Sequence, residues 1–421
     1  MRTKIEVNNF AKIESASIYL DDLLLFVGDN NSGKTLLMEL IYGIVNLICK
    51  WEADFSTARI TETENVRYIR FDKEWYNNVE NKINTYLQNQ KEEFIVDIFS
   101  NLIPLENVNI KFEDTEGFFY IATISNKVSL EKQYPDGERE NIFEEIDICS
   151  DVEKMLGHRI LLDIMGMNEG EKQIFIPAAR AGLQMLYRYF FASSASINEG
   201  IPLPVYEFLK FIQTYTKKIV FSKDEKELID FLEQNLMKGK VEFENNQFVF
   251  REEESVIPLN FASSMIHELS ILTSILKSNQ NYSYIYYDEV ENSVHPLVQG
   301  DVARALIRLC NSGRKLIVST HSDTMAGKIN NVILLSRMKN ISQKNKKISK
   351  IGLTIKDMLN NKKNVMVYEF IKNKEGKVRV EALEFMEYPR IGYMFERFNE
   401  NIDQLFNESN SIMGYDEDKE A

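Results

Sequence analysis

The feature that most constrains this chain is the run Gly28-Asp29-Asn30-Asn31-Ser32-Gly33-Lys34-Thr35. It lies between the apolar stretch Leu23–Val27 and the amphipathic stretch Leu36–Ile41. A glycine, four free positions and Gly-Lys-Thr form a phosphate loop where a strand turns into a helix. Gly28 and Gly33 let backbone N–H groups turn inward around a phosphate, and the helix N-terminus adds partial positive charge. Asn30, Asn31 and Ser32 complete the expected cradle. Lys34 is expected to reach the β- and γ-phosphates of ATP, and Thr35 to offer its hydroxyl to Mg2+.

Downstream, Tyr284-Ile285-Tyr286-Tyr287 reads as a buried strand ending in two acids, Asp288-Glu289. Asp288 would hold Mg2+ directly or through water, because a small hard cation takes oxygen ligands. Glu289 would orient and polarise the water that attacks the γ-phosphate. Alone, the segment reads equally as a strand closing on a solvated turn; the phosphate loop upstream decides for chemistry. The next strand, Lys315–Thr320, ends in His321. A histidine at a strand's carboxyl end, beside the phosphate site of an open α/β sheet, can hydrogen-bond the γ-phosphate.

At 421 residues the chain is long for one domain and short for three, so a nucleotide-binding head with inserted lobes is expected. Its 44% hydrophobic content supports a core and argues against global disorder. No apolar run approaches the roughly 18 residues of a membrane span, and no signal-peptide core is present. A soluble cytoplasmic protein with no membrane partner is therefore expected. Cys49, Cys149 and Cys310 are too widely spaced to suggest a zinc site or a disulfide framework. The net charge of −14 argues against a surface that coats nucleic acid, yet leaves room for a local basic groove. Its richest candidate is Arg337–Lys350, with Lys339, Lys344, Lys346 and Lys347 and no acid between; most such runs are solvated faces. The acidic stretch Asp136–Glu153 is expected in a different lobe.

The segments Ile5–Phe10, Ile13–Leu20 and Leu23–Val27 read as strands feeding the loop. Asn109–Phe112 and Phe118–Ile124 look like hairpin pieces, and Pro135-Asp136-Gly137 is a turn. Residues 200–240 carry helical spacing at Phe208, Phe211, Ile212, Leu228, Phe231 and Leu232. A hairpin is expected from Val241–Phe243 and Phe248–Phe250, then a helix over Leu297–Cys310. Val332–Leu335 reads as the head's last strand, Val365–Ile371 with Lys377–Leu383 as a hairpin, and Tyr393–Phe406 as a closing helix. The expected organisation is a head over 1–48 and 170–340, with a helical insertion about 195–250. An inserted α+β lobe takes 49–169, and a hairpin-and-helix segment packing on the head takes 341–421. No sustained heptad array occurs, so no long coiled-coil arm is expected.

Five segments together resemble the ABC-type ATPases of the SMC, RecF and OLD group, and most closely the stand-alone AAA-15/AAA-21-like ATPases of bacterial anti-phage systems. They are Ile5–Phe10, the phosphate loop, Ile176–Leu183 (Ile-Pro-Ala-Ala-Arg-Ala-Gly-Leu), Asp288–Pro296 and Ser319-Thr320-His321. The resemblance implies a P-loop head with N-terminal antiparallel strands, a mostly parallel core sheet and α+β insertions. It also implies a signature segment, matched by Asn260–Met265, whose Ser263 and Ser264 would cap the nucleotide of a second copy. Met265 departs from the glycine usual there, and Ser263 reads equally as a plain helix cap. Asn292–Pro296 would lie at a dimer seam, making His295 an interface residue. Arg180 reads as a phosphate-sensing, inter-lobe or structural arginine; His158 and His267 read as surface or boundary residues. No glutamine can be placed as the family's Q-loop.

The function implied is a slow ATPase that dimerises on ATP, acting as the sensor of a defence system. Its partners would be a second copy or a higher homo-oligomer, a separate nuclease or toxin effector, and duplex DNA or a phage protein as trigger. A RecF-like DNA-repair clamp is the second reading. A transporter's nucleotide-binding subunit is the third, disfavoured by the long insertion and the lack of Leu-Ser-Gly-Gly-Gln.

Overall fold

A computed structural model describes residues 1–53, 55–147, 151–192, 200–395 and 406–411. The chain opens with an antiparallel pair, β1 (Arg2–Phe10) and β2 (Ile13–Tyr19), then β3 (Leu23–Gly28), which is buried along its whole length. The phosphate loop leads into α1 (Lys34–Lys50). An inserted region follows: β4 (Arg59–Glu62), β5 (Arg67–Phe71), α2 (Lys73–Asn89), α3 (Lys91–Phe99), β6 (Leu105–Glu113), β7 (Phe119–Ile124), β8 (Lys127–Gln133), β9 (Arg139–Asp147) and α4 (Val152–Met165). The chain then makes β10 (Lys172–Ile176), α5 (Arg180–Ala192), α6 (Leu203–Gln213), and α7 (Lys223–Asp230), which runs on into a π-helical stretch, Phe231–Met237. A three-stranded antiparallel sheet of β11 (Lys240–Glu244), β12 (Gln247–Glu252) and β13 (Ser255–Pro258) precedes α8 (Ser264–Lys277). The last elements are β14 (Tyr282–Tyr287), α9 (Pro296–Asn311), β15 (Lys315–Thr320), α10 (Asp323–Ser336), α11 (Ile341–Lys350), β16 (Val365–Lys372) and β17 (Val378–Ala382).

One nine-stranded sheet organises the molecule, in the order β10-β14-β15-β3-β16-β17-β2-β1-β6. Its first five strands run parallel, so four carboxyl ends flank that of the phosphate-loop strand β3 along one edge. The other end is mixed: β17 pairs parallel with β2, while β1 is antiparallel to both β2 and β6. This is the mixed α/β sheet expected, antiparallel at its N-terminal strands and parallel at its core.

The central strands are continuous apolar runs because both faces of the sheet are covered. Leu24, Phe26, Tyr284, Tyr286 and Ile317 point into one core, shared with α1 and the inserted lobe. Leu23, Leu25, Val27, Ile285, Tyr287, Leu316 and Val318 point into the other, shared with α8, α9 and α10. Alternation in side-chain direction thus divides each strand between two cores.

Several sequence expectations change in three dimensions. Val332–Leu335 is not a strand but the last turn of α10, whose cap Ser322 accepts a hydrogen bond from the Met325 N–H at 3.2 Å. Four apolar residues in a row fit a buried helix as well as a strand, and the upstream cap decides. The strand position beside β3 belongs instead to β16 from the C-terminal hairpin, whose partner β17 continues the sheet. Asn109–Phe112 and Phe118–Ile124 lie in different sheets: β6 edges the main sheet, and β7 is central to a five-stranded antiparallel sheet, β4-β5-β7-β8-β9. The Pro135-Asp136-Gly137 turn joins β8 to β9, with Gly137 at φ 92°. Of the closing helix expected over Tyr393–Phe406, Tyr393–Phe395 are not helical and most of the rest lies outside the described residues. No helix among the described residues is long and apolar enough to cross a membrane.

Candidate functional site

The phosphate loop is built by backbone geometry before any side chain acts. Gly28 sits at φ 143°, and a Cβ there would come within 2.9 Å of both the Phe370 Cβ and its carbonyl oxygen on neighbouring β16. Gly33, at φ 96°, begins α1 without a side-chain cap, and the helix has no acid in its first turn. The first N–H groups of α1 are thus left for an anion, the general property of an uncapped helix start. Asn31 is also left-handed, at φ 57°, and its carbonyl accepts from the Lys12 ammonium at 2.5 Å. Asn30 is exposed, while Ser32 is buried.

Lys34 folds over its own loop, donating to the Gly28 and Asp29 carbonyls at 2.8 Å each. Burial pulls its ammonium below the ordinary range, opposed by the charges of Asp288, Glu289 and Glu291.

Asp288 is the hub of the opposite wall. One carboxylate oxygen accepts from the Thr35 hydroxyl at 2.7 Å and the other from the Ser319 hydroxyl at 2.5 Å. Ser319, on β15, also accepts from the Glu289 N–H at 2.8 Å. A single hydroxyl therefore ties the Asp288 carboxylate to the backbone of Glu289. Glu289 itself stands at φ 45°, a strained conformation for a residue with a Cβ. Underneath, Glu39 of α1 is buried, and burial together with the Asp288 charge pushes its carboxyl up to about 8.

Thr35 and Asp288 present a hydroxyl and a carboxylate already in contact, a hard oxygen pair that suits Mg2+ once phosphate oxygens and waters supply the rest. Among the described residues no three His, Cys, Asp or Glu side chains gather to hold a metal without such help.

His321 follows β15 and is half-exposed. Its Nδ1 lies 2.9 Å from a Glu291 carboxylate oxygen that also accepts from the His321 N–H at 2.8 Å. With Nδ1 committed, Nε2 is the nitrogen left for a phosphate oxygen. Glu291 has no role legible in the sequence; its place two residues after Glu289 is the only signal there. Ser319 was read only as a neighbour of His321.

Arg180, left undecided between sensing and structure, is fully buried. It donates to the Asp288 carbonyl at 2.8 Å, the Glu289 carbonyl at 3.0 Å and the Pro177 carbonyl at 3.1 Å, and pairs with Glu268 of α8. The same Pro177–Arg180 turn reaches the seam segment, since Asn292 donates to the Ala178 carbonyl at 3.0 Å. His295 is exposed and accepts from the Leu297 N–H at 3.3 Å, capping α9.

The signature segment stands apart. Ser263 caps α8 by accepting from the Ile266 N–H at 3.4 Å, and Ser264 is exposed at the first helical position. No hydrogen bond among the described residues joins either serine to the phosphate loop. Met265 is half-buried against the second core. His267, expected at the surface or a boundary, is buried at 2% exposure because it lies on the inner face of α8; its Nε2 has no partner among the described residues. His158 is half-buried on α4.

No protein-family model and no curated protein matches the chain. Solved structures that overlay on it include an SMC head bound to the C-terminal winged-helix domain of ScpA, at 11% identity and a TM-score of 0.39, covering 90% of this chain and 97% of that one. An SMC head domain from Thermotoga maritima overlays at 12% identity and 0.36, covering 91% and 100%. An SMC head with an extended coiled coil, bound to the C-terminal domain of ScpA, from Pyrococcus furiosus, overlays at 10% and 0.37, covering 97% and 98%. At such scores the overlays are loose, and the functional reading rests on the residues themselves.

Proposed function

We propose that this chain is an ATP-binding and hydrolysing switch that pairs with a second copy on ATP. Within that reading it is the sensor ATPase of a bacterial anti-phage system and controls a separate nuclease or toxin. The observation that carries the ATPase reading is the junction of Thr35, Asp288, Ser319 and Glu289 directly beside the Gly28–Lys34 loop. The defence role is supported by the sequence resemblance of the five segments.

ATP phosphates would lie along the loop N–H groups, and Lys34 would exchange two carbonyl acceptors for phosphate oxygens, a stronger charge-assisted pairing. Thr35 and Asp288 would hold Mg2+, which when bound neutralises phosphate charge. Glu289, with its backbone pinned at both N–H and carbonyl, would take a proton from the attacking water. His321 would donate to a γ-phosphate oxygen through Nε2. Ser263 and Ser264 face solvent, so in this reading they complete the site of another copy. Phe261 beside them and Leu297 beside the seam segment are 80% and 86% exposed, large apolar groups suited to being covered. If closure needs ATP in both sites, ATP binds the closed pair better and acts as the switch.

The test is ATP turnover and native mass of the purified chain, alone and co-expressed with its neighbouring genes. ATP-dependent dimers and a stoichiometric nuclease or toxin support the reading. A chain that turns over ATP but copurifies with repair proteins moves the role to a RecF-like clamp, which the exposed Lys346 and Lys350 of α11 favour. In that case DNA affinity should fall steeply with salt.

A further inference from the structure

We propose that Arg180 and Glu268 form a buried lever through which α8, the helix that begins at the signature serines, sets the position of Glu289. The inference rests on the ATPase reading above and deepens it by naming a positioning pair.

Three observations carry it. First, the Arg180 guanidinium fork is spent on main-chain carbonyls: Asp288, Glu289 and Pro177, at 2.8, 3.0 and 3.1 Å. These are the backbone of the two acidic residues themselves and of the turn that packs beside them. A planar multi-donor head serves several carbonyls at once where an ammonium on a flexible stem does not. Secondly, the remaining edge of the guanidinium meets the Glu268 carboxylate, with both side chains inside the protein at 0% and 4% exposure. Its carbon also lies 4.8 Å over the Tyr287 ring, one residue before Asp288. Thirdly, the object being held is under strain: Glu289 has a left-handed backbone whose N–H is fixed by Ser319 and whose carbonyl is fixed by Arg180.

Glu268 lies about one turn beyond Ser264 on the same helix. A helix moves as a rod, so a displacement at its serine end is passed to Glu268 and through Arg180 to the Asp288–Glu289 turn. Contact of α8 with one nucleotide would thereby tune the glutamate that acts on another. Neither Arg180 nor Glu268 hydrogen-bonds the phosphate loop, so their influence should fall on turnover and not on nucleotide affinity. Burial pushes the Glu268 carboxyl up to about 7, with Arg180 opposing, which marks the pair as costly to keep without a purpose.

The experiment compares the full-length parent with Arg180→Lys, Glu268→Gln and the double variant. It measures ATP Kd, kcat and thermal midpoint. The expected result is an ATP Kd within about two-fold of the parent and a kcat lowered about 10- to 100-fold in each single variant. The double variant should be no slower than Arg180→Lys alone, as for two parts of one device. Folded variants with parental kcat, Kd losses matching the kcat losses, or fully additive effects would each overturn the lever. Should Arg180→Lys fail to fold, Glu268→Gln keeps the volume and touches no catalytic backbone, so its kcat-against-Kd split decides. A parent that neither binds nor hydrolyses ATP overturns the ATPase reading itself, and the lever with it.

Discussion

The two ends of the proposed machinery are built in opposite ways. At the catalytic end, the buried Asp288 carboxylate joins Thr35 to Ser319, Glu291 holds His321, and Lys34 folds back on its own loop. At the signature end, Ser263 and Ser264 lie in solvent with a single local cap between them. The first arrangement is preorganised within one chain, so charge developing on a phosphate would meet dipoles already in place. The second has donors but no object, which is how half of a shared site looks before its other half arrives. Arg180 is the physical link, with its fork on the catalytic backbone and its flank on α8.

The largest effect should come from Lys34→Ala. Removing the ammonium that bridges the loop carbonyls should weaken ATP binding by about 100-fold or more, read by equilibrium titration. Binding at the parental level would mean that the loop holds phosphate by backbone alone. Next, Glu289→Gln should keep ATP affinity, lower turnover by about 100- to 1000-fold and accumulate ATP-bound dimers by native mass. Turnover at the parental rate would remove Glu289 as the base.

The signature end should behave differently from the catalytic one. Ser264→Ala should leave the thermal midpoint unchanged and slow turnover most at low protein concentration, where pairing limits the rate. A loss independent of concentration would argue that α8 acts within its own chain. Ser263→Ala should add a stability cost of about 1 kcal/mol from the lost helix cap, read by chemical unfolding.

The smallest effect tests the remote edge of the sheet. Burial alone would raise the Glu6 carboxyl, but hydrogen bonds from Lys111, Lys4 and Asn109 outweigh it and hold the group at about 2, down from 4.5. A depressed carboxylate contributes stability above its unfolded value and loses it as pH falls toward the folded one. Glu6→Gln should therefore narrow the stability gap between pH 5 and pH 2, modestly because the group is still partly exposed and solvent screens it, with turnover at neutral pH untouched. A change in turnover would mean that the antiparallel edge communicates with the site.

Where the candidate site is local in sequence, its residues could be placed from the sequence. The loop Gly28–Thr35, the Tyr284–Glu289 strand end and Ser319–His321 each sit within one strand and its exit, so spacing alone placed them. Val332–Leu335 misled because a four-residue apolar run carries no period of its own. The assignment of β16 to the strand slot beside β3 was out of reach, since parallel pairing joins residues more than 300 positions apart with no turn to signal it. Arg180 was ambiguous for the same reason, as its partners lie in segments remote from it in sequence.

The sequence by itself determined that a strand, a glycine-bearing loop and a helix would gather N–H groups, a lysine and a hydroxyl at one place, because those properties belong to adjacent residues. It also determined that two acids and a histidine would stand at strand ends. Only the tertiary structure decided that one hydroxyl, Ser319, ties both acids together, that Glu291 orients His321, and that Arg180 joins the Asp288–Glu289 turn to α8. Those contacts cross between separate strands and helices, and no local pattern encodes which elements the packed sheet will set side by side.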